Sequence, residues 1–426
     1  MRRFLKLSVI LLTALIAAGC SKSDVPEDPE QPEGPTTSEE VDAIAYAQSL
    51  GIGWNLGNSL DAHSNGKSNE TCWGNGKATQ ATFNAVKSMG FSSVRIPVTW
   101  MGHIGSAPDY KIEDAWLNRV AEVAGYAKKA GLKAIINIHH DGSASNSNNK
   151  PSYSTGVWLR ISDAIADNSK DAAIKAEITN VWKQIATRFK DEGDWLIFET
   201  FNEIHDGMWG FPITNDLLLK MNQWNQTALD AIRSAGGENV TRFVGIPCYA
   251  ANPAFTKTTF ALPQDKAKNR LMVAVHTYDP FEYAGAASTS EWGHTANTTN
   301  SAYKETSIGT VLNTLETKYV SCGIPVYFGE FGCVHRGTVR EENFRKYYLE
   351  YNIRNMRMHN MPVMIWDNGA AGSGEEKFGL INHADGSYIR NTDVNDTKEV
   401  IELMVNAWNS DDTDYTLESI YNRAPR

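Results

Sequence analysis

Residues 195–203 read WLIFETFNE, and the segment runs on through IHDG to Gly207. Its apolar start has the aromatic and branched character of a buried strand, yet it ends on Asn202-Glu203. Glutamate is a poor strand former and is almost never fully buried without a partner. Either the strand stops and Glu203 is solvated, or the fold sets Glu203 at the mouth of a pocket. The other strands decide between the two.

Seven further runs share this character: GIGWNLGN (51–58), SSVRIPV (92–98), KAIINIHH (133–140), TRFVGIPC (241–248), LMVAVHTYD (271–279), PVYFGEFG (325–332) and PVMIWDNG (362–369). They are short and rich in β-branched and aromatic residues, as strands of a buried parallel sheet are. Helical spacing lies between them. Trp116, Val120, Val123 and Ala127 repeat before Gly131, a suitable C-terminal stop. Ile178, Val181, Trp182, Ile185 and Phe189 precede the fourth strand, Leu217, Met221, Trp224 and Ala228 the fifth, and Ile308, Leu312, Leu315 and Tyr319 the seventh. DTKEVIELMVNAW (396–408) closes the series. Eight strands with helices between them predict an α/β fold, a (β/α)8 TIM barrel, forming a single catalytic domain over residues 41–426. An open doubly wound sheet is the alternative, but GIGWNLGN lacks the GxGxxG spacing that such a unit uses to cradle phosphate.

Composition narrows the function classes. The 426 residues are 42% hydrophobic and 21% charged, enough to bury a large core. A formal charge of −10 disfavours nucleic acid as a partner and suits a neutral or cationic ligand. Twelve Trp and sixteen Tyr fit stacking on sugar faces, though large cores use aromatics as well.

The first nineteen residues read as a lipoprotein-like signal peptide. MRRFLK is basic, Leu7 to Ala18 is a short apolar stretch, and Ala17-Ala18-Gly19-Cys20 offers a small-residue cleavage point. Cys20 then becomes the lipidated N-terminus; simple secretion is the alternative. Loss of Arg2, Arg3 and Lys6 moves the charge from −10 to −13. Residues 20–40 are acidic and Pro-rich with almost nothing to bury, so they read as a tether. The expected location is the cell envelope, lipid-anchored on the outer-membrane surface of a Gram-negative bacterium. Cys72, Cys248, Cys322 and Cys333 fit no zinc spacing, and their pairing stays open.

In such a barrel the site lies at the carboxyl ends of the strands. There the sequence carries Arg95 on the second strand, His139 and His140 on the third, and Asn202 and Glu203 on the fourth. His276 and Tyr278 follow on the sixth, Glu330 on the seventh and Trp366 on the eighth. Each alone is compatible with a structural role, but structural accidents do not all fall at one end of successive strands. Glu203 therefore sits at the mouth of a pocket. Two carboxylates on the fourth and seventh strands point to glycoside hydrolysis, in which an acid protonates the leaving oxygen and a second carboxylate supports the oxocarbenium-like centre.

Taken in order, GWNLGNSLDA, ETCWGN, VRIPVTW, NIHHDG, FNE, VHTYDP, FGEFG and WDNG resemble glycoside hydrolase family 5, subfamily 4, over about residues 47–410. The resemblance implies a retaining endo-β-1,4-glucanase acting on xyloglucan, mixed-linkage β-glucan or soluble cellulose. It implies Glu203 as acid/base and Glu330 as nucleophile, with Arg95 and Tyr278 bonded to Glu330. It implies Asn202 on the substrate 2-hydroxyl and His276 in the protonation network. His139 and His140 would bind the glycone sugar, with Trp366 as the floor beneath it. Asn55 and Trp73 are candidates for more distant glycone subsites and Trp209 for a leaving-side sugar. No cofactor and no metal are expected, and the chain is expected to act as a monomer on a β-glucan.

Mannanase or xylanase activity is the nearest rival. A metal-dependent hydrolase using His139, His140 and His276 would need a His-x-His on the first strand, which is missing. A non-catalytic glycan-binding lipoprotein would be expected to have lost one of the two glutamates.

Overall fold

The computed structural model describes residues 42–148, 150–392 and 394–426. The expected signal peptide, Cys20 and the expected tether lie outside the described residues. Eight strands form a closed barrel: β1 (Ile52–Asn55), β2 (Ser93–Ile96), β3 (Lys133–Asn137), β4 (Leu196–Glu199), β5 (Val244–Pro247), β6 (Leu271–Thr277), β7 (Val326–Phe331) and β8 (Val363–Ile365). Each pairs in parallel with its sequence neighbours, and β8 closes on β1. Around them run α1 (Gln80–Ser88), α2 (Asp114–Ala130), α3 (Asn168–Arg188), α4 (Asn215–Ser234), α5 (Glu305–Lys318), α6 (Val339–Met358) and α7 (Thr397–Asn409). This is the expected (β/α)8 barrel, with one irregularity: β5 and β6 are joined by short 3-10 turns at Tyr249–Ala251 and Pro253–Lys257.

The helices form where the spacing predicts. α2 buries Trp116, Val120, Val123 and Ala127 and ends on Gly131, whose φ of 71° is the left-handed conformation glycine adopts without strain. The Asp167 side chain caps α3 by accepting from Ser169 N.

Alternation along each strand separates two cores. Ile52, Trp54, Val94, Ile96, Ala134, Ile136, Leu196 and Phe198 face the helices. Ile135, Ile197, Met272, Ala274, Tyr327 and Met364 face the barrel axis, where Ala43, Ala47 and Leu50 from an N-terminal helical turn plug the bottom. Tyr46 of that turn stacks on Phe243 with ring centroids 3.7 Å apart. The amino end of the barrel is thereby apolar, and the inward polar residues collect at the carboxyl end.

The strands are shorter than the apolar runs in the sequence. β4 ends at Glu199, so Thr200–Glu203 leave the ladder, their backbone tied to the neighbouring strands by Thr200 N to Gly245 O (3.0 Å) and Asn202 N to Ile138 O (2.8 Å). Loops diverge at the barrel mouth, and this splay frees side chains to converge on one point.

Candidate active site

Arg95, fully buried at the inner face of β2, is the hub. Its Nη1 donates to Glu330 Oε1 at 2.8 Å and to Asn55 Oδ1 at 3.1 Å. Nη2 donates to Glu199 Oε1 and to Asn202 Oδ1, both at 2.7 Å, and Nε reaches both Glu199 oxygens at 3.2 Å. Burial alone would weaken the cation; the Glu199 and Glu330 carboxylates outweigh it and hold Arg95 above its ordinary value.

Glu330 lies on β7 and Glu203 on the loop after β4. The ladder between β6 and β7 slips by one residue after Val275, which sets His276 opposite Glu330. His276 Nδ1 is 2.8 Å from Glu203 Oε1 and 3.8 Å from Glu330 Oε1. A carboxylate oxygen from each glutamate and a ring nitrogen of His276 lie within 4.8 Å of one another. Tyr278 OH donates to the other Glu330 oxygen at 2.9 Å. Burial and the Glu330 charge push Tyr278 well above its ordinary value, so it remains a phenol and a donor.

The two carboxylates and His276 titrate as one unit. Burial would strip His276 of its proton, but the Glu330 and Glu203 charges raise it above its ordinary value. Burial pushes Glu203 up, and the hydrogen bond and charge of His276 outweigh this and draw it down. Burial likewise raises Glu330; His276 and Arg95 pull it back, and the Glu203 charge adds to the rise. A proton crossing the 2.8 Å bond from His276 to Glu203 removes that last push on Glu330, and removes with it the larger pull of the His276 cation. In the state with a neutral Glu203, the Glu330 anion rests on its hydrogen bonds from Arg95 and Tyr278.

His139 follows β3, with Nδ1 3.2 Å from Asn137 Nδ2 and Nε2 3.9 Å from Glu330 Oε1. Burial strips its proton, so it is neutral. Its ring is parallel to Trp366, with centroids 6.1 Å apart. The next turn is fixed by Asp141, which accepts from Trp100 N at 3.0 Å and Trp158 Nε1 at 2.7 Å. That turn aims His140 at Asp61, with Nε2 3.6 Å from Oδ2. Trp366 is nearly buried, and a Cβ on Gly57 would lie 2.8 Å from its ring. Gly57, two residues past β1, therefore lets the chain pass under the indole.

The more distant candidates separate. Trp73 is 41% exposed and gathers with His63 and His140, ring centroids 5.2 and 5.5 Å away. Trp209 is 51% exposed and lies against His205 at 4.0 Å. Burial holds His205 down at about 4, and its Nδ1 accepts from Gly207 N at 2.9 Å, leaving the hydrogen on Nε2. Asn55 requires a correction. It is 0% exposed, its carbonyl accepts from Arg95, and its amide reaches Gly329 O at 2.9 Å. It lies behind the site and braces Arg95, with no face open to a glycone subsite.

The sequence reading passed over Glu199, Asn137 and Tyr327. Glu199 shares inward parity with Ile197, the one available signal: a charge inside a barrel strand needs a partner. Cys72, Cys248, Cys322 and Cys333 are unpaired thiols. A second triad, Asp61, His139 and His140, also brings possible metal ligands within 4.8 Å of one another. The Asp61 oxygens already accept from Asn58 N at 3.0 Å and Ser59 N at 2.7 Å.

A parallel (β/α)8 barrel with paired glutamates at the carboxyl ends of β4 and β7 defines a glycoside hydrolase. The chain belongs to the cellulase family, glycosyl hydrolase family 5, whose model matches residues 58–372. It is similar to the solved structure of a native Bacteroidetes-affiliated family 5 cellulase linked with a polysaccharide utilization locus: TM-score 0.86, 47% identity, covering 91% of this chain and 98% of that one. It is also similar to a subfamily 4 broad-specificity endoglucanase from Bacteroides salanitronis: TM-score 0.79, 45% identity, covering 90% and 99%. A family 5 xyloglucanase from Paenibacillus pabuli follows with TM-score 0.75 and 34% identity, covering 85% and 99%. The chain is thus an endoglucanase-type glycoside hydrolase.

Proposed function

We propose that this protein is a retaining endo-β-1,4-glucanase that hydrolyses soluble β-glucans, among them xyloglucan, mixed-linkage β-glucan and soluble cellulose, by double displacement. The observation that carries the reading is the approach of Glu203 and Glu330 oxygens to within 4.8 Å. Retaining pairs stand ~5–5.5 Å apart, whereas inverting pairs need ~6.5–9.5 Å to admit water.

Glu330, kept anionic by Arg95 and Tyr278, attacks the anomeric carbon while Glu203 protonates the leaving oxygen. Water then enters, Glu203 takes its proton, and the glycosyl ester to Glu330 breaks. His276 holds the proton that Glu203 gives and takes. Arg95 occupies Asn202 Oδ1, so Nδ2 is the end free to donate to the sugar 2-hydroxyl. His139 and Trp366 flank the cleaved sugar, His140 and Trp73 the glycone side, and Trp209 offers a platform for the leaving side.

Exposed indoles on two separate loops suit an open groove and endo action. The similarity to a broad-specificity endoglucanase and a xyloglucanase favours glucans, with mannanase and xylanase as sister specificities. The test is reducing-end release from xyloglucan, mixed-linkage β-glucan, carboxymethyl cellulose, glucomannan and xylan. Release from β-glucans is expected. Cleavage of mannan or xylan alone moves the claim to a sister specificity, and inactivity on all five favours a binding role.

Two outcomes follow from the same geometry. Trp209→Ala raises KM for cellotetraose about five- to tenfold, equivalent to ~1–1.4 kcal/mol, and leaves an aryl β-cellobioside unaffected because that substrate has no leaving-side sugar. Treatment with a chelator leaves the rate unchanged, since the two-carboxylate mechanism uses no metal; lost activity restored by a divalent cation contradicts it. We further propose that Cys20 is lipidated and the acidic tether holds the barrel off the outer-membrane surface as a monomer. Palmitate labelling abolished by Cys20→Ser, together with removal of the protein by protease shaving of whole cells, tests this.

A further inference from the structure

We infer that Glu199 is a positioning residue that sets the working pH of the two glutamates, acting through Arg95 and His276. The inference rests on the double-displacement reading and assigns a task to a residue buried behind the two glutamates.

Glu199 is fully buried, and four residues from other strands are built around its carboxylate. Arg95 on β2 donates to it three times, Asn137 on β3 donates at 2.9 Å and the Tyr327 hydroxyl on β7 at 2.6 Å. The fourth is His276. A Cβ on Gly329 would lie 2.8 Å from His276 Nε2 and 3.3 Å from Glu199 Oε2, so the bare glycine leaves the gap across which these two groups face each other. A Cβ on Gly245 would meet the Tyr327 hydroxyl at 2.1 Å, so a second glycine makes room for the phenol. Backbone space has been cleared on two strands to seat one anion.

That anion does two things. By engaging Nε and one hydrogen of Nη2, it fixes the rotation of the Arg95 fork, leaving Nη1 for Glu330 and the rest of Nη2 for Asn202. It also offsets part of the Arg95 charge and presents an anion to the far side of His276. The Arg95 charge and hydrogen bonds, opposing burial, keep Glu199 ionised.

The groups facing each partner are few. Arg95, His139, Glu203, His276 and Tyr278 face Glu330, with Glu376 from the loop after β8 in electrostatic reach. Glu203, Glu330, Arg95, Glu199 and His139 act on His276, and His205 acts on Glu203. Glu330 also meets both Arg95 and His276, but as a reacting group; Glu199 is the non-reacting carboxylate that faces both.

Glu199→Gln keeps the shape and removes the charge. The field at Glu330 and at the Glu203–His276 unit becomes more positive, so both release protons at lower pH. The acid limb of kcat/KM, where Glu330 must ionise, moves down; so does the alkaline limb, where the unit loses its proton. The profile for an aryl β-cellobioside is expected to shift to lower pH by about one unit. Glu199→Asp keeps the charge but loosens the fork, so its kcat falls at least about tenfold while both limbs stay in place. A Glu199→Gln profile that falls in height without moving overturns the inference. If that variant does not fold, the Asp variant decides: limbs that move with the charge retained overturn it as well. An active wild type with unmoved limbs refutes only this inference, whereas a wild type inactive on every glucan refutes the underlying function.

Discussion

Glu330→Gln stops turnover of every β-glucan, with kcat reduced at least about 10⁴-fold, a loss of ~5.4 kcal/mol in transition-state stabilisation. The amide has the volume of the carboxyl and its oxygen can still accept from Arg95, but it cannot form the glycosyl ester. Arg95 keeps Glu199 as a counter-charge at 2.7 Å, so the variant should fold. Breaking a buried pair outright costs ~3–5 kcal/mol, and this substitution does not strand the cation. The variant should bind cellotetraose with near wild-type affinity in calorimetry while failing to cleave it. Retention of more than about a hundredth of wild-type kcat would remove Glu330 from the nucleophile role.

Glu203→Ala gives a loss that depends on the leaving group. On polysaccharide the departing sugar alkoxide needs a proton, and the rate should fall ~10²–10⁴-fold, the usual share of general acid catalysis. On 2,4-dinitrophenyl β-cellobioside the phenolate leaves unaided, so the first step survives. Without the base the second step is slow, so the glycosyl-enzyme accumulates and a burst of phenolate appears. Azide needs no base and should restore turnover, giving β-cellobiosyl azide. Equal losses on both substrates, with no azide product, would mean that Glu203 does not handle the leaving-group proton.

Much of this site is legible in the sequence, and the reason is positional. Arg95, Asn202, Glu203, His276, Tyr278 and Glu330 interrupt apolar runs at or near their carboxyl ends, and a closed barrel brings those ends together. Glu199 escaped because WLIFETFNE carries two glutamates and only the terminal one stands out. The two are four residues apart and share one parity, so alternation does not separate them; what does is that β4 ends at Glu199, which stays in the ladder while Glu203 leaves it. Tyr327 and Asn137 look like ordinary strand residues until that anion is placed between them. Asn55 misled for the converse reason. A polar residue at a strand end suggests the cleft, but β1 turns its amide into a ring of carbonyls from β7 and β8. The slip after Val275, which sets His276 opposite Glu330, leaves no mark in composition or spacing.

The central claim is retention of configuration by Glu203 and Glu330. The most direct test follows the anomeric protons by ¹H NMR during the first minutes of cellotetraose hydrolysis by the wild-type protein. The account predicts that the new reducing end appears first as the β-anomer, with the α-anomer growing in only at the rate of mutarotation. Initial appearance of the α-anomer would mean inversion, and would contradict a direct attack by Glu330.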